Sequence, residues 1–493
     1  MKKLVTIILA IAIIFAISAT AFAADASLTI NGDTNRTYVG YKLLDLTTSH
    51  KADVNCEGNH DKDCYNYAYT VAAKYRDILQ KEVSADAPDD VTDEQIIEYF
   101  AGQTSGDYDT LREVADRIYK AIKAEGLGTD QDEFDGTANI AQGYWMFADT
   151  TNLDDQNAAN SFVMVNTKGE NELEITPKTA LPTIKKEVYD VDPTGTDGWS
   201  DSADHDINDD VQFKLTATLA DNFAYYDTYK LIFHDNLADG FTLDADSIVV
   251  TAKNGDTVLD ITDKYAVKTA EIDCDFEVVF ENVKAIADVN ATTVFEVTYT
   301  AKLNNDAVIG TLGNDNEVTL EFSNDPYSDS TGTTSDKVNV YTYKLIINKV
   351  DAEGNALQGA GFILYKKNAE GTYEPIGDEV KGDGMTTFTW TGLDDGDYKL
   401  EEKTVPAGYN KMADKEFTIT ATHTVDEITA LNGIGTSDLA AGTLTEKITN
   451  QTGALLPETG AMGTVAFIGV GSMLIMVAAV FMITRKKMSV YED

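Results

Sequence analysis

Two spacings of apolar residues divide this chain. From Val211 to Leu219 apolar and polar residues alternate, and the alternation returns at 276–280, 294–299 and 318–322. A period of two predicts half-buried strands. Further strands are predicted at 343–350, 361–365, 386–389, 398–401 and 416–420, joined by glycine-rich turns. The first part of the chain mixes the two periods. Strands at 28–30, 38–46, 144–147, 162–165 and 173–175 bracket a helical stretch. There Val71, Tyr75, Ile78 and Leu79 share one face, as do Leu111, Val114, Ile118 and Ile122. Thr92-Asp-Glu-Gln95 has the pattern of a capping box, and Gly126 stops the longer helix.

These elements predict a mainly β chain. An α+β unit spans 24–178, followed by two tandem immunoglobulin-like sandwiches at 182–340 and 341–453. The segment Thr176-Pro-Lys-Thr-Ala-Leu-Pro-Thr183, with two prolines, links the first two units.

Both chain ends have a different pattern. Met1-Lys2-Lys3, the apolar run Leu4–Ile17 and Ala21-Phe22-Ala23 form a secretory signal over 1–23, so export is expected. At the other end, residues 454–493 hold Leu456-Pro457-Glu458-Thr459-Gly460, an apolar stretch at 464–484 and a basic tail at 485–493 opening with Arg485-Lys486-Lys487. Roughly 20 apolar residues span a bilayer as a helix, and the basic residues are expected to stay cytoplasmic. Proline biases Leu456 toward extended backbone, and Gly460 leaves the Thr459 carbonyl open to a nucleophile. This arrangement resembles the sorting signal of proteins anchored to the Gram-positive cell wall. The resemblance implies cleavage between Thr459 and Gly460 by a sortase and transfer of the Thr459 acyl group to an amine.

Composition narrows the functional classes. The net charge is −45; without the two processed ends 33 basic and 81 acidic residues remain, a net −48. Such a surface repels nucleic acid and anionic lipid. Only five histidines are present and no serine-centred elbow, so hydrolytic catalysis has no support and the chain is read as a non-enzyme. Of three cysteines, Cys56 and Cys64 flank a polar loop and are expected to pair outside the cell. A metal set of Cys56, His60, Asp63 and Cys64 lacks the tight spacing of zinc sites. Cys274 reads as an ordinary half-buried strand residue. The stretch Asp190–Asp201 mimics a calcium loop at offsets 1, 3, 6 and 12, but its final ligand is Asp and no helices flank it, so an acidic hairpin is expected.

The third unit contains Tyr398-Lys-Leu400-Glu-Glu402-Lys-Thr-Val-Pro406-Ala-Gly408-Tyr409, opens with Lys349-Val-Asp and closes with Ile448-Thr-Asn450. It resembles the collagen-adhesin B-type sandwich of Gram-positive pilins. The resemblance implies an internal amide bond between Lys349 and Asn450, assisted by the acid Glu402. Strand alternation puts Leu345, Ile347 and Lys349 on one face. Burial there favours the neutral, nucleophilic amine, and a buried carboxyl is kept protonated.

The second unit, through 182–188, 229–235 and 316–324, resembles the A-type sandwich of backbone pilins. Lys186 shares a face with Ile184 and Val188, whereas Lys185 should point out. The resemblance implies Asp235 as the assisting acid. Asn316 and Asn324 have the same parity; Asn316 is preferred because A-type first and last strands run side by side, with Asn324 left open. Lys178 matches the acceptor lysine of polymerising pilins, although Thr176 replaces the family's tyrosine.

Together the resemblances imply a backbone subunit of a sortase-assembled pilus, a surface fibre supporting adhesion. Its implied partners are a class C-type pilus sortase, a housekeeping sortase, further copies of itself, minor pilins and peptidoglycan. No cofactor and no metal are implied. The alternative is a monomeric wall-anchored adhesin or minor pilin that does not use Lys178.

Overall fold

The structure, a computed structural model, describes residues 25–31, 36–51, 65–103, 108–152, 158–168, 170, 172–176, 181–191, 197–453 and 462–488. Among these the chain is mainly β, with an α+β unit leading two sandwiches.

The first unit contains β1 (Ala26–Ile30), β2 (Thr37–His50), β3 (Tyr65–Val71), helices α1 (Arg76–Val83), α2 (Asp93–Gly102) and α3 (Tyr108–Glu125), then β4 (Gln131–Asp135), β5 (Thr137–Ile140), β6 (Gly143–Asp149), β7 (Phe162–Asn166) and β8 (Glu172–Ile175). Strands run β3-β2-β6-β7, with β4 also on β2, and a second sheet runs β5-β1-β8. Alternation on β6 decides the layering. Met146 and Ala148 join the helix residues Leu79, Ile96 and Ile118 in one core. Trp145 and Phe147 join Leu28 and Val163 in another, facing the small sheet. Helices therefore cover one face of the large sheet and the three-stranded sheet covers the other.

The capping box at Thr92 is formed in both directions with Gln95. Gly126 follows α3 with φ +66°, a left-handed conformation that glycine adopts without steric cost. One expectation is corrected: Val71 ends a strand, and its helix opens only at Arg76. Residues 65–71 pair with β2 from Leu44 to His50, and that non-local pairing overrides the local helical spacing.

The second unit contains β9 (Thr183–Asp190), β10 (Gly198–Ser200), β11 (Ser202–Asp204), β12 (Asp210–Thr218), β13 (Leu231–Leu237), β14 (Phe241–Asn254), β15 (Thr257–Val258), β16 (Ala266–Lys268), β17 (Phe276–Phe280), β18 (Val294–Leu303), β19 (Asn314–Ser323) and β20 (Thr331–Tyr341). One sheet runs β10-β9-β12-β18-β14-β15 and the facing sheet β11-β20-β19-β13-β17-β16. Val211, Phe213, Leu215 and Ala217 of β12 meet Phe233, Val278 and Leu320 of the opposite sheet in one core. Burying the valine, leucine and phenylalanine side chains among these stabilises by about 1.5–3 kcal/mol each.

Only Thr342, fully buried, separates β20 from β21. The third unit contains β21 (Tyr343–Val350), β22 (Gly361–Lys367), β23 (Tyr373–Pro375), β24 (Val380–Lys381), β25 (Thr387–Leu393), β26 (Gly396–Thr404), β27 (Lys415–His423), β28 (Ile428–Asn432), β29 (Thr436–Asp438) and β30 (Thr443–Thr449). Its sheets run β25-β21-β30-β29 and β23-β22-β26-β27-β28, with β24 also on β22. The first and last long strands, β21 and β30, are parallel neighbours, with Lys349 opposite Ile448.

A final helix, α4 (Met462–Met488), follows. Its described side chains between Ile468 and Ile483 are exposed and, apart from Ser472, apolar, including Leu474, Val477 and Phe481. Side chains are described for only part of α4, and among the described residues no helix is long and apolar enough to cross a membrane. The signal segment 1–23, the sorting pentapeptide 456–460, Lys178, Cys56 and Cys64 lie outside the described residues.

Candidate functional site

In the third unit three polar side chains meet inside the sandwich. Lys349 stands near the end of β21, Glu402 on β26 of the facing sheet and Asn450 one residue beyond β30. None of the three is more than 1% exposed. The parallel pairing brings the two strand ends together, and the Asn450 N–H donates to Val350 O at 3.1 Å. The Asn450 amide donates to Glu402 Oε1 at 2.6 Å, and the Met412 N–H donates to Glu402 Oε2 at 2.8 Å. The Lys349 amine donates to Ile448 O at 3.0 Å and Val350 O at 3.3 Å. Burial pushes the Lys349 amine below the usual lysine range, against the opposing pull of Glu402. A neutral amine has two N–H groups. Two carbonyls occupy both and leave its lone pair free.

Among the described residues Asn450 Oδ1 has no hydrogen-bond partner. A buried orphan acceptor costs about 1–3 kcal/mol. Turning the amide over would bring Oδ1, in place of Nδ2, to the 2.6 Å contact with Glu402 Oε1.

The second unit repeats the constellation with different topology. Lys186 on β9, Asp235 on β13 and Asn316 on β19 are all fully buried. Lys186 Nζ lies 2.5 Å from Asp235 Oδ2 and 3.1 Å from the Tyr299 hydroxyl. That hydroxyl donates to Asp235 Oδ1 at 2.8 Å and accepts from the Asn316 amide at 2.7 Å. Asn316 Oδ1, like Asn450 Oδ1, has no hydrogen-bond partner among the described residues. Phe213 and Tyr299 place their ring centroids 5.8 and 5.7 Å from the amine. Burial dominates both titrations: it lowers Lys186 and raises Asp235. Both directions favour the neutral pair, with the proton on the carboxyl and the amine ready as a nucleophile.

One expectation about this site changes. The lysine and asparagine strands are not neighbours: β9 and β19 belong to opposite sheets, and β19 is followed by β20. Asn316 and Lys186 reach the same Tyr299 hydroxyl because both face the same interior, across the sandwich. Asn324 shares the parity but stands beyond the end of β19, where its Oδ1 accepts from Ser330 at 2.8 Å and its carbonyl from the Asn160 N–H at 2.9 Å. Lys185 points out and pairs with Glu187.

Sequence reasoning passed over Tyr299, which ties all three residues together. The signal was available: Tyr299 has the inward parity of Phe295 and Val297, and a buried phenol requires a polar partner. It also passed over the charged junction between the sandwiches. There Lys366 binds Asp206 at 2.6 Å and Asp394 at 3.0 Å, and His423 Nε2 lies 3.5 Å from Asp204. Cys274 is also corrected. It is a free, half-buried thiol just ahead of β17, not a strand residue. Gly198 and Asp190 pair at the base of an antiparallel hairpin, whose tip at 192–196 lies outside the described residues.

The geometry invites comparison with known proteins. The family model of SpaA, a prealbumin-like fold domain, matches residues 343–433. The T6 backbone pilin of serotype M6 Streptococcus pyogenes, described as a modular three-domain structure with variable loops and extensions, superposes with a TM-score of 0.52. It is 17% identical and covers 87% of this chain and 98% of that one. This chain has the fold of a three-domain backbone pilin. A curated relative, the trypsin-resistant surface T6 protein of S. pyogenes serotype M6, is 25% identical over 256 residues. That match spans 47% of this chain and 44% of the relative, less than half of its length. The full-length major pilin SpaD from Corynebacterium diphtheriae is 20% identical over 88% of this chain and 98% of that one, with a TM-score of 0.44.

Proposed function

We propose that this chain is a structural subunit of a covalent surface pilus, exported, polymerised and wall-anchored by sortases through Leu456–Gly460. The observation that carries the proposal is the pair of fully buried lysine, acid and asparagine sets, one per sandwich. Buried lysines are rare in proteins and costly unless paired; two in one chain, each beside an acid and an asparagine, call for a chemical reason.

In each set the amine attacks the asparagine Cγ while the neighbouring acid holds the side-chain amide in place. The acid then shuttles a proton from the attacking nitrogen to the departing one. The Cγ–Nδ2 bond breaks, ammonia leaves and a lysine–asparagine amide remains. No oxidant, cofactor or second enzyme is needed. The bonds Lys349–Asn450 and Lys186–Asn316 restrict the unfolded ensemble as disulfides do. They also route tension past most of each sandwich when the fibre is pulled. Lys178 would accept the Thr459 acyl group of the next subunit, making the shaft, and peptidoglycan would accept the last. The apolar run 464–484 would hold the precursor in the membrane until cleavage.

Intact mass tests the internal bonds: each should lower the mass by about 17 Da, the ammonia released in acyl transfer to a nucleophilic amine. A chain with the full unreacted mass would overturn them.

A further inference from the structure

We propose that His234, Cys274 and Glu277 form a binding site for one zinc-class divalent ion on the outer face of the second sandwich. His234 lies on β13 directly opposite Glu277 on β17, and Cys274 precedes β17. One ligand atom from each lies within 4.8 Å of the others. Tetrahedral zinc with its usual bond lengths needs donors about 3.5 Å apart, so side-chain adjustments of about an ångström close the site. His234 Nδ1 already lies 3.1 Å from Glu277 Oε1.

The donor set selects the metal class. Thiolate, imidazole and carboxylate together suit zinc and its neighbours rather than calcium or magnesium, which take oxygen ligands. Charge also closes: a thiolate and a carboxylate offset a divalent ion, with protons leaving the Cys274 thiol and His234 Nδ1 as the ion enters. The fourth position stays open to solvent, since His234 and Glu277 are 28% and 13% exposed.

A second layer is in place as well. The other imidazole nitrogen, Nε2, lies 3.1 Å from Glu321 Oε2 on β19. A metal-bound histidine typically gives its other N–H to a carboxylate, which fixes the ring and its tautomer. Lys268 holds Glu277 Oε2 at 3.3 Å, leaving Oε1 for the ion. The site would clamp β13, β17 and β19. On β13 the alternation turns His234 outward and Asp235 inward, so metal and buried acid use opposite faces of one strand.

The test uses the full chain in detergent, stripped with chelator and carrying Cys56→Ser and Cys64→Ser, with the wild-type chain in parallel. Titration with Co2+ should give one equivalent of thiolate-to-cobalt charge-transfer absorption, displaced by Zn2+. Cys274→Ser should abolish that band and weaken Zn2+ binding at least tenfold; Glu321→Gln should weaken it about tenfold as a second-layer change. Intact mass reports in the same samples whether the domain folded and reacted. Absence of the band in a chain that shows its mass loss, or an equal band in Cys274→Ser, would overturn the site.

Discussion

Replacing Lys349 by methionine tests the energetic role of the buried amine most directly. Methionine fills nearly the same volume, so no large cavity opens. What disappears is the nucleophile. Lys349 and Asn450 are 101 positions apart, and closing a loop of that length stabilises by about 4.7 kcal/mol in the chain-entropy account. For a domain of this size that corresponds to about 20 °C in Tm. Lys349→Met should therefore lose one ammonia deficit by intact mass and shift the calorimetric transition of the third sandwich down by about that amount. Glu402→Gln keeps both reacting groups but cannot carry the proton, so it should show the same missing deficit. Refutation is simple: a wild-type chain without the deficit, or a Lys349→Met chain that lacks the bond and melts where the wild type does.

Tyr299→Phe leaves Asn316 without its 2.7 Å partner and should slow bond formation in the second sandwich about tenfold, the effect of about 1.4 kcal/mol of lost positioning; completion at the wild-type rate, followed by mass in refolding chains, would refute it. Asn316→Ala should remove that domain's deficit and Asn324→Ala should leave it; the reverse outcome would move the acceptor. Lys178→Ala should collapse the boiling-resistant ladder on immunoblots of wall extracts to a single band, whereas an unchanged ladder would exclude Lys178. Stability should fall as pH rises across the junction of the sandwiches. Burial, then the charge of Asp204, raises Asp394. Burial would lower His423, but the bond and charge of Asp204 outweigh it and raise it. Both groups bind protons more tightly folded than unfolded. The His423 contribution is complete below about pH 6.5 and fades as pH passes its raised value. The Asp394 preference starts to fade above about pH 3.9. Calorimetry from pH 5 to 8 should show Tm declining, with a shallower slope in Asp394→Asn; a rising Tm would refute the sign.

The sequence by itself determined a good deal. Period-two alternation identified several of the long strands of both sandwiches, because one face of each must be buried and the other solvated, but not Phe241–Asn254 or Thr331–Tyr341. The same parity turned Lys186 and Lys349 inward and Lys185 outward. Local chemistry located the Thr92 cap and the Gly126 stop, since both depend only on neighbours in the chain. What only the tertiary structure decided was which inward residues meet. Parity cannot distinguish Asn316 from Asn324; the end of β19 does. Nor can it report that β9 and β19 face each other across the interior while β21 and β30 lie side by side in one sheet. Val71 followed β-pairing with β2 against its own helical spacing. Tyr299, the Asp204–Asp394–Lys366 junction and the His234–Cys274–Glu277 cluster each join segments far apart in sequence. Their contacts follow from sheet order and layer packing, which long-range burial sets and which local pattern does not encode.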